Sequence, residues 1–114
     1  MKVKDRNSNG QNGMAFPRHS TGDVCEAILV ENLLRRGWYV YRPVSAYGPV
    51  DVIAITSEGK LYLFDAKADR FRVNPDRKKR DRIHRKRSLL QKILHVRIAY
   101  VNEKTRGVWF VPSL

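Results

Sequence analysis

Apolar positions along the chain follow two different periods. In residues 20–37, STGDVCEAILVENLLRRG, they recur about every three to four residues, the spacing of an amphipathic helix. Val24, Ala27, Ile28 and Leu34 with their neighbours make a broad apolar stripe, and Asp23 suits the positive end of the helix dipole. Gly37 is placed to stop the helix in the left-handed conformation. The pattern then changes to short runs rich in aromatic and β-branched residues, which predict strands over 38–43, 50–55, 61–68, 95–102 and 107–112. The turn TSEGK joins the second and third of these into a hairpin. After the third strand, ADRFRVNPDRKKRDRIHRKRS leads into an expected second helix, in which Ile83, Leu90 and Leu94 share a face with Ile93 alongside. The order αβββαββ predicts an α/β fold with a mixed central sheet flanked by helices. Its crossover helix would make the third and fourth strands parallel. Residues 1–18 are polar, rich in Asn and Gly and without periodicity, so they are expected to be a flexible arm preceding a single domain over 19–114.

Composition narrows the class of partner. The 114 residues carry 23 Lys and Arg against 11 Asp and Glu, a formal net charge of +12. Ten of the 23 basic residues fall between positions 70 and 87. Such an excess on a small surface makes polyanions the natural partners, nucleic acid first. No apolar run approaches the roughly 18 residues of a membrane span, and the first residues lack the apolar stretch of a secretory signal. An intracellular location is expected, in the cytoplasm or nucleoid, or in a host cytoplasm for a viral protein. Cys25 stands alone, which excludes a disulfide framework and a cysteine zinc cage. His19, His84 and His95 do not fall at metal-ligand spacings. Phosphate-binding glycine loops and Ser-His-Asp or Cys-His patterns are absent.

Strand alternation supplies the sharpest chemical signal. In LYLFDAKA, Leu61, Leu63, Asp65 and Lys67 share one face, and Tyr62, Phe64, Ala66 and Ala68 the other. An apolar strand thus ends with an acid and a lysine side by side. A buried carboxylate is costly unless a positive group meets it. Asp51 makes the same demand at the start of the neighbouring strand, and Glu26 makes it within the apolar run of the first helix. Each alone has a bland reading: Asp65 with Lys67 as an edge ion pair, Asp51 as a strand-start cap, Glu26 as a surface charge beside Arg35 or Arg36. Together, three carboxylates and a lysine can converge at one edge of the sheet and form a hard-oxygen site suited to Mg²⁺ or Mn²⁺.

With these residues in this order, the chain resembles the PD-(D/E)xK nuclease superfamily, most closely the archaeal-type Holliday junction resolvases and related small endonucleases. The similarity runs over about residues 21–69. Residue by residue, Glu26 matches the helix acid, Asp51 the first motif acid, Asp65 the second and Lys67 the motif lysine. Ser45 falls where resolvases often carry an active-site serine. Val50, not proline, precedes Asp51. The resemblance implies a restriction-endonuclease-like core and Mg²⁺-dependent hydrolysis of DNA phosphodiesters, with Mn²⁺ able to substitute. It implies a metal held by Asp51, Asp65, the Ala66 carbonyl and Glu26, and a lysine that orients the attacking water.

The expected substrate is branched DNA, cut by a homodimer or higher oligomer because two strands need two sites. A sequence-specific homing or restriction-like endonuclease is the alternative, and a non-cleaving nucleic-acid-binding module on the same fold is another. Arg42, Tyr47, Arg70, Arg72, Lys78, Lys79, Arg80 and Arg82 are the expected DNA contacts, although a charge run of this kind is also a common solvated face.

Overall fold

The computed structural model describes residues 20–45, 47–74, 79–82 and 85–114. The expected N-terminal arm, Lys78 and Ile83 lie outside the described residues. A helix, α1 (Ser20–Arg35), precedes three strands, β1 (Tyr39–Tyr41), β2 (Val52–Ile55) and β3 (Leu61–Ala68). Two further strands, β4 (Phe71–Asn74) and β5 (Lys79–Arg82), pair with each other alone. A one-turn helix, α2 (Leu89–Ile93), leads to β6 (Val96–Val101) and β7 (Val108–Val111). The main sheet is mixed, in the order β1-β2-β3-β6-β7. Its central pair, β3 with β6, is parallel, as the crossover requires, and the other neighbours are antiparallel.

One face of this sheet is dry. Cys25, Ile28, Leu29 and Leu33 of α1 form a buried cluster with Val52, Ala54, Tyr62, Phe64, Ala99 and Val101. Burying a side chain such as Leu29 or Phe64 contributes about 1.5–3 kcal/mol. Trp38 stacks on Tyr62 with centroids 5.4 Å apart, and Phe110 lies 5.2 Å from Phe64. The buried stripe differs from the expected one, since Val24, Ala27 and Leu34 are exposed. The helix is apolar over much of its circumference, so periodicity alone leaves its inward face open, and contact with the sheet selects it. Gly37, with φ 81°, ends the helix as expected, and its N–H reaches the Leu34 carbonyl at 2.9 Å.

The crossover departs from the expected helix. Its first part is the β4–β5 ribbon, and helical structure is confined to the five residues of α2. A helix through the basic run would stack like charges three and four residues apart. The sequence also carries the turn signal Asn74-Pro75-Asp76 between the two strands. Ser88 starts α2 with a capping box, its Oγ accepting from the Gln91 N–H while the Gln91 side chain accepts from the Ser88 N–H. His95, at φ 58°, turns the chain into β6. Leu90, Ile93 and Leu94, expected together on one side of a longer helix, are exposed. Among the described residues no helix is long and apolar enough to cross a membrane.

Candidate active site

The hydrogen bond from the Asp51 N–H to the Phe64 carbonyl, 2.8 Å, extends the β2–β3 ladder by one residue. It sets Asp51 beside the second half of β3. There its Oδ2 accepts the Ala66 N–H at 2.9 Å. Asp65, on the sheet face away from α1, has its Oδ1 3.6 Å from Lys67 Nζ, and its Oδ2 accepts from Gln91 Nε2 at 2.9 Å. Asp51, Asp65, Lys67 and Glu26 all line one broad cleft of about 1120 Å³, walled also by Gly22, Gly48, Pro49, Leu90 and residues 85–87.

Two carboxylates this close compete for one proton. The pKa of Asp51 is pushed up to about 6, first by burial and then by Asp65, against the opposing pull of the Ala66 N–H. The Glu26 charge adds a smaller push in the same direction.

Glu26 occupies the rim of the cleft. Its Oε1 accepts from Arg42 at 2.8 Å, and the pair is half exposed. The suggested partners Arg35 and Arg36 bond instead to Glu31 and Asn32 of α1. Ser45 lies in an adjoining groove with Arg42, Val50 and Asp51. Its Oγ donates to the Tyr47 carbonyl at 2.9 Å, and Tyr47 itself is fully open to solvent. Arg70 is exposed just after β3. Arg72 sits in β4, and Lys79, Arg80 and Arg82 in β5, with Arg72 opposite Asp81 and Arg80 opposite Val73.

Among the described residues no three His, Cys, Asp or Glu side chains are grouped to hold a metal ion. The expected ligand set is therefore assembled only in part. Asp51 and Asp65 pair, the Ala66 N–H serves Asp51, and Glu26 is held by Arg42. Two carboxylates nonetheless fit Mg²⁺, which commonly takes one or two from the protein and completes its shell with water and substrate phosphate. Burial first, and then the neighbouring Asp65, raise Asp51, and a bound cation would relieve both.

Sequence reasoning missed Gln91, a polar side chain only 9% exposed that bonds directly to an acid of the site. Its one legible signal was the S-x-x-Q spacing of the capping box at Ser88. It also passed over Arg85, Lys86 and Arg87 as individual lining residues. Arg87 reaches the Val96 carbonyl at 3.2 Å, and the Arg85 N–H donates to the Tyr100 hydroxyl at 2.7 Å. These bonds fix this segment along the cleft wall.

The fold so built has a solved counterpart. The chain is similar to the solved structure of a bacterial homing endonuclease, I-Ssp6803I, with a TM-score of 0.55 and 16% identity over 83% of this chain and 68% of that one. At that identity the likeness shows the fold alone. No protein-family model matches the sequence, and no curated protein matches it.

Proposed function

We propose that the protein is a metal-dependent DNA endonuclease that cuts duplex DNA at a specific sequence, with the cleft around Asp51, Asp65 and Lys67 as its active site. The observation that carries this reading is the meeting of two carboxylates and a lysine where β2 and β3 lie side by side, in a fold shared with a homing endonuclease. That neighbour supports the homing-like reading over the junction-resolving one.

Asp51 and Asp65 would hold Mg²⁺, or Mn²⁺ in its place, with the Ala66 carbonyl as a further ligand. Glu26, whose Oε1 is held by Arg42, would join them through its other oxygen. The bound ion would neutralise phosphate charge and polarise a water molecule. Lys67, whose side chain is 39% exposed, orients the attacking water and balances the charge that develops. Ser45, in the adjoining groove, is suited to meet a phosphate flanking the cut. Arg85, Lys86 and Arg87 follow the cleft wall and meet the backbone. The basic β4–β5 ribbon has the form of a two-stranded element that a major groove admits.

A Mg²⁺ cleavage panel tests the reading. One discrete cut in a long duplex supports it, whereas preference for four-way over linear, nicked and flapped DNA would restore the junction-resolving assignment. Binding without any cleavage would leave only a binding module. Two strands take two clefts, so the active form in this proposal is at least a homodimer, and a monomer by light scattering both free and on DNA would remove that element.

A further inference from the structure

Gln91 spends both of its side-chain N–H donors inside the site. Its Nε2 donates to Asp65 Oδ2 at 2.9 Å and to the Pro49 carbonyl at 3.0 Å, while its Oε1 accepts the Ser88 N–H at 2.9 Å. The amide can face only one way. A backbone N–H is always a donor, so the oxygen must point at Ser88, and the nitrogen then faces two acceptors. Reversing it would set donor against donor at Ser88 and oxygen against oxygen at both other contacts.

The three partners belong to separate parts of the chain. Pro49 stands two residues before Asp51, Asp65 lies on the adjacent strand, and Ser88 opens α2. Gly48, at φ 147°, is in a conformation that side chains other than glycine's rarely adopt. It immediately precedes the carbonyl that Gln91 grips.

We infer that Gln91 is a positioning residue, a buried cross-brace that fixes the Asp65 carboxylate relative to the strand entry carrying Asp51, so that both acids would serve one divalent cation. This rests on the reading of the cleft as a cation site. The capping role alone does not account for the contacts, because in a capping box this side chain uses only its oxygen, on the Ser88 N–H. Both N–H bonds of Gln91 point instead to the acid-bearing segments. Groups that orient ligands in this way are commonly worth about 10- to 100-fold in metal affinity or activity.

The test is Mn²⁺ binding by calorimetry in the absence of DNA, on wild type, Gln91→Met and Ser88→Ala. Gln91→Met keeps length and volume but removes both donors, and should weaken Mn²⁺ binding by about 10- to 100-fold. Ser88→Ala loosens the cap while leaving the bonds to Asp65 and Pro49, and should bind Mn²⁺ nearly as wild type does. Equal losses in the two variants, or unchanged binding in Gln91→Met, would overturn the inference while leaving the nuclease reading intact. A folded wild type that binds no Mn²⁺ would overturn both. Should Gln91→Met fail to fold, the wild-type Gln91 side-chain NH₂ resonances decide. They should shift on Mg²⁺ titration with the same midpoint as the Asp51 and Asp65 signals, and an unmoved pair would overturn the assignment.

Discussion

On one face of β3, Tyr62 and Phe64 are buried in a single cluster with Leu29 and Leu33 of α1, and the contacts are apolar throughout. On the other face, Asp65 and Lys67 stand beside Asp51 in an open cleft, each acid held by particular donors. The first face is stabilised by area removed from water, which tolerates small changes of geometry. The second depends on directional bonds and is under electrostatic stress, as the raised Asp51 shows. Stability and chemistry are thus divided between the two sides of one strand.

The sharpest way to break this comparison is to remove the charges of the polar face. Asp51→Asn, Asp65→Asn or Lys67→Ala should each lower Mg²⁺-dependent cleavage by about 10³-fold or more. DNA binding and the fold should largely persist. Normal cleavage by the Asp65 variant, in protein free of contaminating nuclease, would end the site assignment.

The apolar face should respond in the opposite way. Phe64→Ala should cost about 3–5 kcal/mol of stability, measured by denaturant unfolding. A loss under 1 kcal/mol, on the order of a surface substitution, would mean that the α1 side is not where the fold is held.

The ribbon should affect neither face. Replacing Lys79, Arg80 and Arg82 by alanine should flatten the log-log salt dependence of duplex binding by about 2 to 3 units and leave cleavage at saturating DNA intact. An unchanged slope would make the run a solvated surface and move DNA contact to Arg42, Tyr47 and the cleft wall.

The smallest effect sharpens the comparison most. Asp51 is raised from 3.8 to about 6, chiefly by burial, so the folded state binds this proton more tightly than the unfolded chain does. The group therefore favours the fold below about pH 4, and that advantage is lost as pH rises through about 6. Without divalent cations, Asp51→Asn should be more stable than wild type above pH 6 by about 1 kcal/mol, allowing for partial exposure of the site. The gap should close near pH 4, and Mg²⁺ should narrow it by stabilising wild type alone. A variant that is less stable at pH 8 without cations would show that the acids are not in conflict.

Much of this architecture was legible because burial and alternation are local properties of a chain. The strand LYLFDAKA announced both its limits and its two faces, and the expected crossover between β3 and β6 implied their parallel pairing. The candidate acids stood out as charges in apolar runs. Tertiary structure decided the rest. A helix apolar over so much of its surface, as α1 is, turns Cys25 and Leu29 inward and Val24 outward only when a sheet selects the face. The basic crossover became a ribbon because its like charges and the Asn-Pro signal in its sequence opposed the helix that Leu90, Ile93 and Leu94 suggested. Gln91 meets Asp65 across 26 residues of sequence and Pro49 across 42. Nothing local marks a neutral amide as the partner of a distant carboxylate, because its hydrogen bonds acquire their meaning only when the chain brings the acceptors to it.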